Sequence, residues 1–188
     1  MPKIDHFGII APIYEKFMSY SENELMREFA ELPVPGHLLD IGGGTGRVSK
    51  WLVDEIDHIE VVDLSFRMLR FARDKQLNAR CASGEKLPYP SSTFNRVLII
   101  DALHHFSNQN QVIHEIWRVL KPEGLLIIIE PNLKLLTGKL VAIIERILLM
   151  NSKFLFDDSI KNLFVEFNAD IQIMHQGVNS WFKVNKKS

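Results

Sequence analysis

A strand that runs into four glycines out of five residues and then into a helix leaves few folds open. Leu38-Leu39-Asp40-Ile41-Gly42-Gly43-Gly44-Thr45-Gly46-Arg47 has that form. Leu38, Leu39 and Ile41 read as a buried strand. Val48, Trp51, Leu52 and Glu55 read as a helix, with the apolar members three and four apart. Without a Cβ, the glycines let the backbone turn sharply and come close to a ligand. The helix N-terminus points unpaired N–H groups at the same place. The stretch therefore poses one question: which ligand comes there.

Strands and helices alternate around it. His37–Ile41 is the first strand and Thr45–Glu55 the first helix. Ile59–Asp63 is the second strand, and Ser65 caps a helix that runs to Lys75 with Met68, Leu69 and Ala72 on one face. Ala79–Ala82 is a short third strand, followed by a loop over Ser83–Thr93. Arg96–Asp101 is the fourth strand, Asn108–Leu120 a helix, Lys121-Pro122-Glu123-Gly124 a turn, and Leu125–Glu130 the fifth strand, stopped by Pro131. Strands one, four and five are near-continuous apolar runs, as in a parallel sheet covered on both faces. Right-handed crossovers make this an α/β, doubly wound sheet, in which ligands bind beyond the carboxyl ends of the strands. Gly42, Asp63, Asp101 and Glu130 all fall at those ends.

The flanks are less regular. Over residues 1–35, Phe7, Ile10, Tyr14, Phe17 and Met18, then Leu25, Met26, Phe29 and Leu32, predict two short helices that cap the core as a lid or as a structural cover. An apolar helix is expected around Leu135–Met150 and another over Asp158–Phe167. A hairpin is expected with arms Ile171–His175 and Ser180–Val184. The 188 residues are read as one domain: a cap over 1–35, a cofactor-binding core over 37–131, and an apolar segment with the hairpin over 132–188.

Net charge is −1, which gives no global electrostatic case for nucleic acid or an anionic membrane. Cys81 is the single cysteine, so no internal disulfide framework exists and a cytoplasmic location is expected. Asp5, His6, Glu15 and Lys16 break any secretory signal. Lys134, Lys139, Glu145 and Arg146 make Leu133–Met150 too polar to span a membrane. No metal site is expected.

Three nucleotide readings compete for the glycine loop. A P-loop needs GxxxxGK[ST], and the spacing fails because Arg47 follows Gly46. A dinucleotide fingerprint needs GxGxxG, and its third position falls on Arg47 or Ser49. The third reading is a ligand without phosphates. Asp40 lies where a carboxylate would oppose a pyrophosphate but suit a cation; its other reading is a cap for the loop N–H groups. Asp63 follows Asp40 by 23 residues, at the end of strand two, where an acid can accept hydrogen bonds from ribose hydroxyls. A phosphate-free nucleoside with a positive centre describes S-adenosylmethionine.

The motifs resemble those of the class I S-adenosylmethionine-dependent methyltransferases, in the small-molecule group that includes the ubiquinone/menaquinone-type C-methyltransferases. Leu38 to Gly46 resembles the first motif and Val62-Asp63-Leu64-Ser65-Phe66-Arg67-Met68-Leu69 the second. Glu85-Lys86-Leu87-Pro88-Tyr89-Pro90 with Phe94, Ala102-Leu103-His104-His105, and Arg118-Val119-Leu120-Lys121-Pro122-Glu123-Gly124 resemble later ones. The resemblance implies a Rossmann-like sheet of seven strands with the C-terminal hairpin as the last two. It implies that Gly42 and Gly44 approach the methionine part, that Asp63 holds the ribose, and that Leu64 and Met68 pack on the adenine. Ser83 and Gly84 would line the adenine edge, and Asp101 would lie near the methionine amino group. Ser83 and Asn95 stand where the family commonly has Asp, so Ser83→Asp is expected to tighten the donor.

The implied activity is methyl transfer to a small-molecule acceptor; the apolar Leu133–Phe167 stretch suits a lipophilic one. A non-catalytic binding protein on the same fold is the alternative, and a nucleotide-dependent oxidoreductase a second. A base is needed only if the acceptor must lose a proton. His104 and His105 are the first candidates because histidine titrates near neutral pH. Glu130 could meet a cationic or hydroxylated acceptor, and His6 and Tyr14 could close over the cofactor. The oligomeric state is not legible in the sequence.

Overall fold

The computed structural model describes residues 20–139 and 152–188. Seven strands make one sheet: β1 (His37–Ile41), β2 (His58–Asp63), β3 (Asn78–Cys81), β4 (Phe94–Ile100), β5 (Leu120–Pro131), β6 (Ala169–Gln176) and β7 (Asn179–Lys186). Their order is β3-β2-β1-β4-β5-β7-β6. Every pairing from β3 across to β5 is parallel, and β7 runs antiparallel to both β5 and β6. The seven-stranded, mostly parallel sheet with a C-terminal antiparallel hairpin is the architecture the resemblance implies.

The apolar runs form strands because alternate side chains enter two different cores. Leu39, Ile41, Val97, Ile99, Leu126 and Ile128 face one layer, where α4 (Gln109–Val119) contributes Val112, Ile113, Ile116 and Val119. Leu38, Val61, Leu98, Ile127 and Ile129 face the other. There α1 (Tyr20–Phe29), α2 (Arg47–Trp51) and α3 (Phe66–Asp74) bring Met26, Val48, Leu69 and Ala72. α5 (Asp157–Asn162) adds Ile160 to the first layer. Trp181 of β7 closes the second layer and meets the ring of Phe29 edge-on at 5.6 Å.

Several boundaries differ from the sequence reading. The helix after the glycine loop stops at Trp51, because the N–H of Leu52 turns to the carbonyl of Ser49 (3.1 Å) and that of Glu55 to Leu52 (3.0 Å), tight turns in place of helical ones. The turn at Lys121–Gly124 is a bulge inside β5: Leu120 pairs with Phe94 and Leu125 already with Arg96. α5 ends at Asn162 and continues to Phe167 only as turns. Ser65 caps α3 as expected, accepting the N–H of Met68 at 3.2 Å. His6, Tyr14 and most of the apolar helix expected around Leu135–Met150 lie outside the described residues. Among the described residues no helix is long and apolar enough to cross a membrane.

Candidate functional site

The chain leaves β1 toward β2 and leaves β4 toward β5, so the loops beyond these two adjacent strands diverge. A cleft of about 600 Å³ opens there, beyond the carboxyl ends of β1, β2 and β4. That volume is within the range of small-molecule sites. Asp40, Gly42, Gly44, Asp63, Leu64, Met68, Gly84 and Asp101 all line it. Ser83 is not among its lining residues.

The glycine loop forms one wall. Gly44 sits at φ +55°, a conformation other residues rarely adopt. Gly42, at φ +71°, is also a matter of space, since a Cβ there would stand 2.6 Å from the Cβ of Ala102. The loop is hung on β2 by the N–H of Gly42, which donates to the carbonyl of Val62 at 2.7 Å.

Two carboxylates meet the loop in different surroundings. Asp63 ends β2 and is half-buried; it accepts the N–H of Gly44 on Oδ2 (3.0 Å) and that of Ser65 on Oδ1 (2.7 Å). A carboxylate offers about four acceptor sites, so these bonds are compatible with further ones. Asp40 is buried beneath Gly43 and accepts the hydroxyl of Ser49 on Oδ2 at 2.7 Å. Burial pushes the Asp40 pKa up to about 6, against the opposing pull of Ser49 and Arg47 and with the help of neighbouring Asp63. Asp101 holds φ +50° just after β4, its N–H fixed to the carbonyl of Ile129 at 2.9 Å. A non-glycine residue in that conformation at a cleft marks a place where the fold imposes a geometry.

The rim beside Asp63 is apolar. Leu64 and Phe66 are exposed, while Met68 is buried below them. Ser83 instead turns to Glu85: its hydroxyl donates to Glu85 Oε2 and accepts the Glu85 N–H at 3.2 Å. Burial raises the Glu85 pKa, but Ser83 and the N–H groups of Glu85, Asn108 and Ser107 together hold it below the usual carboxylate value. Asn95 is remote from the cleft. It accepts the N–H of His37 (3.1 Å) and the ammonium of Lys121 (3.0 Å).

The three candidate catalytic residues separate. His105 lines the cleft, and its Nδ1 is 3.2 Å from the hydroxyl of Ser152. His104 and Glu130 are buried behind the wall. Nδ1 of His104 stands 2.5 Å from Oε2 of Glu130, and the His104 ring stacks on Phe154. Oε1 of Glu130 accepts the N–H groups of Ala102 (3.1 Å) and Leu103 (2.8 Å). Phe106, which no motif had singled out, is also in the lining; its signal was adjacency to the histidine pair. Among the described residues no cluster of three His, Cys, Asp or Glu is placed to hold a metal.

Known proteins share this fold. Residues 39–128 match a family described as a methyltransferase domain. A ubiquinone/menaquinone biosynthesis C-methyltransferase of Neisseria meningitidis is 34% identical over 110 residues, covering 54% of this chain and 45% of that protein. A demethylmenaquinone methyltransferase of Deinococcus radiodurans is 32% identical over 139 residues, 66% of this chain and 58% of its own length. The chain thus spans about half the length of the curated relatives it matches. Among solved structures, an S-adenosylmethionine-dependent methyltransferase from Thermotoga maritima superposes with a TM-score of 0.80 at 20% identity, over 96% of this chain and 98% of that one. Residues 39–128 thus match a methyltransferase-domain family, and the sheet has the fold of S-adenosylmethionine-dependent methyltransferases.

Proposed function

We propose that the cleft binds S-adenosylmethionine and that the chain transfers its methyl group to a small-molecule acceptor. The observation that carries this is the pair Asp40 and Asp63 against one glycine loop, one carboxylate buried beside the backbone and one at the cleft rim. The residues present fit such a donor. Asp63 offers a carboxylate to vicinal hydroxyls, exposed Leu64 and Phe66 offer an apolar face to a flat base, and Asp40 and Asp101 set negative charge where a cationic group would come. A phosphate-bearing cofactor would meet those same carboxylates as repulsion.

Bound, the donor supplies an electrophilic methyl carbon on sulfonium. Alignment and exclusion of water are then the chain's contribution, with about 7–11 kcal/mol available from orientation alone. His105 is the side chain placed to accept a proton at the cleft if the acceptor must lose one. Residues 37–131 serve as the donor-binding core in this reading, with the flanks left to meet the acceptor.

The names of the quinone-pathway relatives support a lipophilic, quinone-type ring as acceptor, carried on the shared core. The single, exposed Cys81 accords with a cytoplasmic setting. Calorimetry with S-adenosylhomocysteine and with NAD tests the donor. Binding of the first and not the second is expected, and the reverse removes the reading. Transfer of a radiolabelled methyl group to demethylated quinone analogues, against a small-molecule extract, tests the acceptor. Donor binding with no transfer to any acceptor would favour a non-catalytic binding protein.

A further inference from the structure

At the end of strand five Glu130 is expected to meet a cationic or hydroxylated acceptor, yet only 4% of it is exposed. Its oxygens turn away from the cleft and gather three groups of one turn. Oε1 takes the N–H groups of Ala102 and Leu103, and Oε2 faces Nδ1 of His104. A carboxylate accepting at Nδ1 requires the proton on that nitrogen. Glu130 thereby fixes both the backbone of the turn and the tautomer of His104.

That turn is interlocked with the glycines of the cleft. The Cβ of Ala102 occupies the space that a side chain at Gly42 would need, and the ring of Phe106 lies 2.8 Å from where a Cβ of Gly84 would stand. Small displacements of residues 102–106 therefore move two walls of the cleft at once, because packed interiors transmit strain. The opposite side of the turn is tied to residues 152–154. The N–H of Lys153 donates to the carbonyl of His104 at 2.6 Å, and Phe154 stacks on the His104 ring at 4.1 Å.

We propose that Glu130 is a positioning residue for the methyl donor, holding the 102–106 turn so that Ala102 and Phe106 close on the glycine walls of the cleft. The role rests on the donor reading above. It differs from simple support of the fold, because a protein that has merely lost stability still binds with native affinity in its folded fraction.

The test is titration of wild type, Glu130→Ala and Glu130→Gln with S-adenosylhomocysteine, reading affinity and stoichiometry separately. Glu130→Gln keeps an acceptor for both N–H groups and is expected to bind within about threefold of wild type, whereas Glu130→Ala loses about tenfold or more at full stoichiometry. If Glu130→Ala does not fold, Glu130→Asp takes its place. Its carboxylate is withdrawn by one methylene and is expected to lose a similar factor. An affinity for the folded Ala or Asp variant within about threefold of wild type overturns the proposal. Nitrogen NMR of His104 gives a readout independent of the donor. Nδ1 is expected to be protonated in wild type, with the proton moved to Nε2 in Glu130→Gln, and an unprotonated Nδ1 in wild type overturns the arrangement. A wild type that fails to bind S-adenosylhomocysteine takes down the donor reading and this inference with it. A wild type that binds, beside an Ala variant that binds equally, takes down only the positioning role.

Discussion

The carboxylate of Asp63 accepts the N–H of Gly44 at 3.0 Å, tying the end of β2 to the glycine loop that leaves β1. The same side chain accepts the N–H of Ser65, which opens α3. A residue that orders two loops and faces the cleft should matter twice. Asp63→Ala is expected to weaken S-adenosylhomocysteine by more than about tenfold and to lower stability by about 1–3 kcal/mol, since two N–H groups lose their acceptor. Asp63→Asn, which keeps one oxygen, should recover more of the stability than of the affinity. Calorimetry and urea denaturation separate the two effects.

Asp40 predicts a pH dependence. Burial raises its folded pKa from 3.8 to about 6, so ionisation works against the folded state. Stability contributed by the neutral form is fully present below about pH 4, declines as pH rises toward about 6, and is flat above that. Asp40→Asn is expected to leave stability unchanged at about pH 4 and to raise it by about 2–3 kcal/mol at about pH 8. The same change removes negative charge from the cleft. The variant should therefore lose preference for the cationic donor over its neutral product, measured as the ratio of the two affinities by calorimetry.

Glu115 and Arg118 fasten the loop after β3. Arg118 donates to the carbonyls of Tyr89 (2.7 Å) and Leu87 (3.0 Å) and to both oxygens of Glu115, while Glu115 accepts the N–H of Leu87 at 2.7 Å. Either residue changed to Ala is expected to cost about 2 kcal/mol, because Arg118→Ala leaves Glu115 and two loop carbonyls without their donor and Glu115→Ala leaves Arg118 and the Leu87 N–H without their acceptor. The double variant should cost much less than the two single changes combined, as one network is broken in each case. Urea denaturation of the three variants checks this. The bond from Arg118 holds the Glu115 carboxyl below its usual value, so this contribution persists above that range and fades only in acid.

The strands were legible because their apolar runs leave no other arrangement that buries both faces, and the cleft because Asp40, Gly42 and Asp63 sit at fixed places relative to strand ends. The Arg118 network shows what was not legible. Glu85–Pro90 and Arg118–Gly124 stood out as separate stretches, but nothing in their spacing says that Arg118 and Glu115 on α4 clasp Leu87 and Tyr89. Glu130 was misjudged for a related reason. Position at a strand end gives proximity to the cleft but not the direction in which a side chain turns. Helix ends were overrun where apolar spacing persists but the backbone tightens into turns, as when the N–H of Leu52 bonds Ser49 in place of Val48.

Ser83 is the sharpest case where neighbours change an expectation. Taken alone, an acid at this position should strengthen a hydrogen bond to the donor. In the fold, the Ser83 hydroxyl lies against the Glu85 carboxylate, which is further held by the N–H groups of Ser107 (3.1 Å) and Asn108 (3.4 Å). A second carboxylate there would face the first, and like charges at such range disfavour ionisation of both. Ser83→Asp alone is therefore expected to leave S-adenosylhomocysteine affinity unchanged or weaker, with stability falling as pH rises above the carboxylate range. Ser83→Asp combined with Glu85→Gln removes the repulsion while keeping an acceptor for Ser107 and Asn108. That double variant should bind about fivefold tighter than wild type, the gain expected when a charged acceptor replaces a neutral one at a cost difference of about 1 kcal/mol. Calorimetry on the single and double variants decides it. A single Ser83→Asp that binds more tightly than wild type would show that Glu85 exerts no such opposition.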